Sequence, residues 1–372
     1  MATVDPGGWR TVWKPVRVGV AGLLLAGFTF AAASCGGGGG SSVDATPGAI
    51  GGTPDASAAI PTHAAVLESS PWSFSGTQGR VIRTASYEVY TTLGEGMIVE
   101  RAPTFLERAL FHYTTAMTPL PRPTRPMETY LLATRPQWVE MTQKLLGSDA
   151  GPYVQIERGG FSHRGRGVYF DIGPKDTFTI AAHEGWHQYA QSTFREGLPV
   201  WLDEGVATWM EGFRWDPEEP DVPAFKPWAN LERYEMLRWT NWQRQLMPLE
   251  ELLRVSPQDL VSDGKWRPLQ YYAQVWAFIH FLMEGNDGVH APAVRAMLRD
   301  AATGTMTDRI REKLGRQAAE TYRLRRDGRL AFAAYIGADL PTMETQFKSF
   351  VATICVRGGR QRVAQGQSPW LQ

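Results

Sequence analysis

Two histidines four residues apart constrain the fold of this chain more than any other feature. His183 and His187 belong to the run His-Glu-Gly-Trp-His, inside a proline-free segment, 176–193, that begins with an aspartate suited to capping a helix. Residues four apart lie on one face of an α-helix, so both imidazoles can reach one Zn²⁺ ion at about 2.0–2.1 Å. Glu184 lies one step round the helix, where it can accept a proton from a water on the ion. The spacing therefore predicts a helix over 176–193 with a metal-binding face.

A third ligand is needed, because so short a pattern also arises by chance. Glu204 follows His187 by seventeen residues, in a segment, 198–211, that is typical of a second amphipathic helix. Structural zinc sites use four protein ligands, whereas catalytic sites use three and leave a position for water. His183, His187 and Glu204 form such a set of three, and the connection is long enough for the second helix to fold back across the first. The alternative is a pair of helix histidines that bind no metal.

The two motifs together resemble those of a known enzyme group. His183-Glu-Gly-Trp-His187 and Trp201-Leu-Asp-Glu-Gly205 are similar to the motifs of the gluzincin zinc metallopeptidases. Across residues 85–350 the order of elements resembles the peptidase-MA-like bacterial domains. The resemblance implies Zn²⁺ held by His183, His187 and Glu204, with Glu184 as the general base. The G-x-M-E-N motif with which the aminopeptidase branch holds a free amine has no match, so the resemblance favours an endopeptidase over an exopeptidase.

Two further acids are candidates for supporting the metal ligands. Ligand histidines usually donate their second ring N–H to an acceptor, and Asp203 and Glu211 are placed to provide one. Ordinary acids on a helix surface are the alternative interpretation. The other histidines of the 85–350 region have no ligand-like partner at a diagnostic spacing, which predicts structural or surface roles for His112, His163, His280 and His290.

A hydrolase of this kind also needs a hydrogen-bond donor beside the developing oxyanion. Tyr271, Tyr272 and His280 lie on one predicted helix, 270–283, and the resemblance makes Tyr272 the best candidate for this role. Tyr272 also falls at helical spacing with Trp276, which predicts simple core packing as the alternative.

The periodicity predicts an α+β fold. Three predicted strands alternate with helices, and further helices continue almost to the end of the chain. The strands are 85–92, 129–133 and 167–172, and the helices include 103–115, 136–146 and 340–354. With the resemblance, we expect a zincin-like metallopeptidase domain over 78–355, in which a small mixed sheet packs on the helix of the two histidines and a mainly helical C-terminal part follows. Strand 167–172 is expected to receive an extended peptide as an added strand.

The first 34 residues are typical of an export signal peptide. Arg10, Lys14 and Arg17 precede an uncharged run, 18–34, that is rich in Leu, Ala and Phe and ends in small residues. The run Ala32-Ala-Ser-Cys35 resembles a bacterial lipobox, which implies lipidation of Cys35 and a membrane anchor. The alternatives are an ordinary signal peptide and an uncleaved anchor. Each of them exports the protein, so we expect it in the cell envelope.

Composition limits the remaining possibilities. Residues 35–77 are rich in Gly, Ser, Pro and Ala and cannot bury enough apolar surface to order, which predicts a flexible tether, and 356–372 is predicted to be a disordered tail. Lys+Arg and Asp+Glu both number 38, so nucleic acid is not an expected partner. Two cysteines, Cys35 and Cys355, exclude a disulfide framework. Cys355 is predicted to be a buried free thiol or to pair between chains.

These features predict one leading function and two alternatives. The leading hypothesis is an exported, lipid-anchored and monomeric zinc metallopeptidase that cleaves a peptide or protein substrate with Glu184 as the base. The first alternative is an envelope binding or scaffold protein that keeps the fold without turnover, because function does not follow from fold. The second is a zinc amidase acting on cell-wall amides, where some of the 14 tryptophans would stack on sugars.

Overall fold

The structure is a computed structural model that describes residues 63–264 and 266–370. The predictions for the export signal and for Cys35 fall outside the described residues. Within them, the predicted α+β class and the mainly helical C-terminal part are confirmed. The strands are β1 (Glu68–Phe74), β2 (Thr77–Arg83), β3 (Tyr87–Thr91), β4 (Met127–Leu132), β5 (Gly160–His163), β6 (Arg166–Phe170), β7 (Phe213–Trp215) and β8 (Pro223–Phe225). The helices are α1 (Met97–Thr115), α2 (Arg135–Leu146), α3 (Gly151–Val154), α4 (Pro174–Thr193), α5 (Val200–Met210), α6 (Leu231–Trp242), α7 (Leu249–Leu252), α8 (Arg267–Glu284), α9 (Ala291–Thr303), α10 (Met306–Leu314), α11 (Arg316–Arg325), α12 (Gly328–Tyr335), α13 (Leu340–Ile354) and α14 (Gly359–Ala364).

The main sheet is mixed and has the strand order β1-β2-β3-β4-β6-β5. Its centre, β3, β4 and β6, is parallel, because helical crossovers connect these strands, while the outer strands pair antiparallel. The three strands predicted from the sequence are these central ones. The outer strands escaped prediction because they are short or polar, and β1 carries a proline, as edge strands often do.

Two expectations about strands are wrong. Strand β1 begins at Glu68, inside the range 35–77 predicted to be a tether; it pairs with β2 along its whole length, and Trp72 stacks edge-on against Tyr90 at 5.5 Å. Strand 167–172, expected to accept a peptide, corresponds to β6, which is paired on both sides. The outermost strand at this end of the sheet, among the described residues, is β5, in which Gly160, Phe161 and Ser162 are buried.

The two faces of the sheet bury different helices. Leu132, Val168 and Phe170 face α2, where the Trp138 indole N–H donates to the Val168 carbonyl at 3.1 Å. The opposite face packs on α1 and α4, and Gln188 of α4 donates to the backbone of β4 at 2.7 Å. This layer order holds α4 against the sheet and buries it on all sides.

Glycines allow the close helix contacts around α4 and α5. A Cβ on Gly185 would lie 2.6 Å from the hydroxyl oxygen of Tyr113 in α1, and one on Gly205 would lie 2.6 Å from Ile279 Cγ1 in α8. Both glycines belong to the two motifs. The close approach of α5 to α8 at Gly205 fixes the position of its neighbour, Glu204.

Two helix boundaries differ from expectation. Helix α1 begins at Met97, not at 103, so Pro103 lies inside the helix and not in its first turn, where proline is most easily accommodated. Helix α4 begins at Pro174 after Gly173, and Asp176 lies in its first turn, where it pairs with Arg158 and does not cap the helix.

Residues 356–370 are ordered, so the prediction of a disordered tail over 356–372 is wrong for this part of the segment. Helix α14 buries Val363 completely, and Trp370 packs on Phe350 with ring centroids 4.8 Å apart. These two apolar anchors supply the burial that the composition of the segment does not suggest. Among the described residues, no helix combines the length and apolarity that crossing a bilayer requires.

Candidate metal centre

Helices α4 and α5 bring His183, His187 and Glu204 together in the protein interior. The Nε2 atoms of the two histidines are 3.3 Å apart, and each lies 3.4 Å from Glu204 Oε2. The three side chains are between 0% and 2% exposed. Among the described residues this is the one group of three or more ligand-type side chains that converge, and it could hold a metal ion.

With both imidazoles neutral, one lone pair from each ring and one from Glu204 face one another. His183 Nδ1 is 2.8 Å from Glu211 Oε1, and His187 Nδ1 is 3.2 Å from Asp203 Oδ1. Ionised carboxylates only accept hydrogen bonds, so both Nδ1 atoms donate, and in the neutral form of the imidazoles both Nε2 atoms keep a lone pair. Glu204 Oε2 is buried without a hydrogen bond. Three buried acceptors with no donor between them are unfavourable, and a cation among them removes the conflict.

The electrostatics of the two imidazoles point in the same direction. Burial alone would lower the pKa of each histidine, because it disfavours the charged form. The neighbouring carboxylates outweigh burial: Glu204 and Glu211 raise the pKa of His183, and Asp203 and Glu204 hold the pKa of His187 well above its ordinary value. The site therefore attracts positive charge, which is supplied either by protons on the imidazoles or by a metal ion bound to their neutral forms.

Glu184 is the second carboxylate of the centre with nothing bound to it. It is 0% exposed, and neither of its oxygens has a hydrogen-bond partner among the described residues. Burial raises the pKa of Glu184, while the charges of His183 and His187 oppose that shift. Its backbone carbonyl accepts a 2.6 Å hydrogen bond from Ser162 of the edge strand β5. The unpaired carboxylate thus lies beside the triad, on a helix that contacts the edge strand β5.

Glu211, in contrast, accepts hydrogen bonds at both oxygens, and Asp203 is contacted by two donors at Oδ1. Glu211 accepts bonds from His183, Asn230 and both arms of Arg233, at 2.6–3.0 Å. Burial would raise the pKa of Glu211, but the Arg233 charge and the His183 contact lower it to about 2. Asp203 accepts from the Trp186 indole at 2.9 Å as well as facing His187. The structure therefore places both acids against ligand histidines, and the surface alternative is wrong for Glu211, which has a side chain 1% exposed.

Tyr272 lies beside the centre and in the core at once. It is 0% exposed, its ring centroid is 5.9 Å from that of His183, and the Arg233 guanidinium lies 5.1 Å above its ring. The hydroxyl of Tyr271 is buried without a partner in the described part of the chain, and burial, helped by the charge of Glu204, holds the pKa of Tyr271 well above its ordinary value. Either tyrosine belongs to the surroundings of the triad.

Arg233 and Asn230 are the residues that sequence analysis missed. Arg233 falls at positions i, i+4 and i+7 with Leu237 and Thr240, all of which are buried. A charged residue on the buried stripe of a helix is the one signal that could have identified it, since such a charge must be paired.

The remaining histidines lie elsewhere. His280 stacks on Trp228 at 3.7 Å and contacts Glu284 through Nδ1, and His112 stacks on Trp209, where burial lowers the pKa of His112 to about 3. Cys355 is a half-buried free thiol, and burial raises its pKa to about 12.

Comparison with known proteins identifies no relative: no protein-family model, no curated protein and no solved structure matches this chain. The function therefore has to be argued from the geometry of the centre.

Proposed function

We propose that this protein is a zinc-dependent peptidase of the gluzincin type, built on a zincin-like domain. It is exported, anchored to a membrane through lipidated Cys35, and acts as a monomer on a peptide or protein substrate. The observation that carries the proposal is the convergence of two imidazole lone pairs and the unpaired oxygen of Glu204, with the unpaired carboxylate of Glu184 beside them.

The donor set suits zinc. Two imidazole nitrogens and one carboxylate oxygen are among the ligands that zinc prefers, and three protein ligands are the number found in catalytic sites. When bound, Zn²⁺ supplies Lewis acidity and lowers the pKa of a coordinated water towards about 7. His183, His187 and Glu204 hold the ion, and Asp203 and Glu211 orient the two imidazoles.

Glu184 moves the proton in this proposal. It accepts a proton from the attacking water and delivers it to the leaving amine nitrogen. A carboxylate with no other partner is free to form both hydrogen bonds in turn, whereas Glu211, with four donors, is not. Tyr272 is the proposed donor to the developing oxyanion, and Tyr271 is its neighbour with an unpaired hydroxyl.

The edge strand β5 is the proposed place for the substrate backbone. Ser162 of β5 contacts the backbone of Glu184, so a peptide paired with the free edge of β5 lies beside the proton acceptor. Main-chain pairing of this kind requires an extended segment, which favours unfolded or loop substrates.

One observation favours a second candidate. The three ligands and Glu184 are 0–2% exposed, so neighbouring side chains must move before a substrate reaches them. A scaffold protein of the envelope that holds a metal for stability and turns over nothing requires no such movement.

The test compares the full-length wild type with Glu184→Gln and with a matched control on the surface, Glu235→Gln. We expect one zinc per chain in all three proteins, and cleavage of casein-type peptides that falls roughly 100-fold or more in Glu184→Gln alone. A zinc-loaded Glu184→Gln protein that cleaves at the wild-type rate would contradict the proposal. Zinc binding without cleavage of peptides or of peptidoglycan fragments would support the scaffold instead.

A further inference from the structure

Arg233 is a buried charge that the proposed chemistry does not yet use. It lies in the first turn of α6 and is 2% exposed. Its guanidinium forms a fork with Glu211: Nε donates to Oε2 at 3.0 Å, and one terminal nitrogen donates to Oε1 at 2.7 Å. An arginine fork of this type fixes the orientation of a carboxylate as well as neutralising it.

The Glu211 carboxylate transmits this constraint to the metal centre. Its Oε1 atom is shared between Arg233 and His183 Nδ1, and its Oε2 atom also accepts from Asn230 at 2.6 Å. Asn230 is itself fixed, because its side-chain oxygen caps α6 by accepting from the Arg233 backbone N–H. Rotation of Glu211 would break several hydrogen bonds, so His183 faces a rigid acceptor.

The two ligand histidines are held differently. His187 faces Asp203, which has a side chain 17% exposed and no arginine fork. His183 faces a carboxylate that is 1% exposed and clamped by a buried cation. Of the two imidazoles, His183 is therefore the one whose carboxylate partner is held by a buried arginine, whereas the partner of His187 is held by the Trp186 indole.

The same guanidinium also contacts the proposed oxyanion donor. It lies 5.1 Å above the ring of Tyr272, which is the range of a cation–π contact. Arg233 thus joins α5, through Glu211, to α8, through Tyr272, at the point where both helices reach the triad.

We propose that Arg233 is the positioning residue of the metal centre: acting through Glu211, it holds His183 with its Nε2 lone pair directed at the ion. This inference rests on the proposed function in that it requires a metal at the triad. It does not require that the protein cleaves peptides.

The experiment measures the zinc affinity of the full chain by competition with a chromophoric chelator, and the visible absorption spectrum of the Co²⁺-substituted protein. The variants are Arg233→Met, Arg233→Lys, Glu211→Gln and the double variant Arg233→Met/Glu211→Gln. Arg238→Met is the matched control, since Arg238 lies on the same helix and forms an exposed pair with Glu235.

We expect Arg233→Met to weaken zinc binding roughly 10–100-fold, the range found when the partner of a ligand histidine is lost, and to shift the Co²⁺ bands. Arg233→Lys should fall between wild type and Arg233→Met, because lysine keeps the charge and loses the fork. The zinc affinity of the double variant should lie within a few-fold of that of Glu211→Gln, because the arginine acts through that carboxylate. Arg238→Met should match the wild type in both measurements.

A folded Arg233→Met protein with wild-type zinc affinity and an unshifted Co²⁺ spectrum would overturn the inference, leaving an ion pair that only joins two helices. If Arg233→Met does not fold, Arg233→Lys decides by the same two readouts. A double variant far weaker than either single variant would also overturn it. A wild-type protein that binds zinc but cleaves nothing refutes the proposed peptidase, and the zinc affinities of the variants still test the role of Arg233. A wild-type protein that binds no zinc refutes both the peptidase and the role of Arg233.

Discussion

The described part of the chain pairs a buried histidine with glutamate in two clusters, and they differ in how their carboxylates are satisfied. The candidate metal centre consists of His183, His187, Glu204 and the adjacent Glu184. The second cluster, which we term the C-terminal clasp, consists of His280, Glu284, Trp228 and Ser368. In the clasp every bond converges on Glu284: His280, the Trp228 indole and the Ser368 hydroxyl contact it at 2.8–3.0 Å.

Burial of a histidine beside a glutamate does not by itself identify a metal site. His183 and His280 are both 0% exposed, and both place Nδ1 against a carboxylate. In the clasp, three donors meet the Glu284 carboxylate, although His280 Nε2 is buried without a partner among the described residues. In the metal centre, acceptors meet acceptors, and both Glu204 Oε2 and the Glu184 carboxylate have no donor. Unsatisfied carboxylate oxygens, and not unpaired histidine nitrogens, distinguish the two clusters.

The largest expected difference between the clusters is in metal affinity. Glu204→Gln keeps the size of the side chain and removes the ligand charge, so we expect zinc binding to weaken by more than the roughly 100-fold typical of losing a partner of a ligand. Glu284→Gln makes the same chemical change in the clasp and should leave zinc affinity unaltered. Chelator competition measures the zinc affinity of both variants. Equal losses of zinc affinity would contradict the proposed difference between the clusters.

A smaller effect, of opposite sign in the two clusters, is expected in stability. In the metal-free protein, Glu184→Gln removes a buried charge with no partner, so the free energy of unfolding should rise by roughly 1–2 kcal/mol. Glu284→Gln removes charge-assisted hydrogen bonds, so the same quantity should fall by roughly 1–3 kcal/mol. Urea denaturation with chelator present measures both. Destabilisation by Glu184→Gln would show that this carboxylate is satisfied after all.

The metal centre was accessible to sequence analysis because its geometry is local. The spacing of His183 and His187 follows from the helical repeat, and Glu204 lies on the next helix, so a short stretch of chain contains all three ligands. Asp203 and Glu211 are within one or two turns of Glu204 and were identified for the same reason. Arg233 was not, because its contact with Glu211 depends on how α6 packs against α5 and α8.

The elements of the fold also divide into those that the sequence predicted and those that it did not. The central strands and the long helices follow from periodicity, which acts over a few residues. Strand β1 and helix α14 lie in segments of biased composition, where Trp72 packs on Tyr90 and Trp370 packs on Phe350. No sequence pattern within either segment predicts these contacts. The clasp depends on the same C-terminal segment, because Ser368 reaches Glu284 only after α14 has folded back.

The smallest expected effect tests whether the clasp is purely structural. Ser368→Ala deletes one hydrogen bond to Glu284, which has a side chain 29% exposed, so we expect a loss of about 1 kcal/mol in the free energy of unfolding.

Burial would raise the pKa of Glu284, but the bonds from His280, Ser368 and Trp228 lower it. A lowered folded-state pKa means that this stabilisation is complete above the unfolded pKa and is lost as the pH falls through the folded pKa. The difference between wild type and Ser368→Ala should therefore be constant near neutral pH and shrink in acid, as measured by urea denaturation at several pH values. Ser349→Ala, on an exposed face of α13, is the control and should show no such pH dependence. A difference that persists unchanged at the lowest pH would mean that Ser368 acts through packing of the C-terminal segment and not through the charge of Glu284.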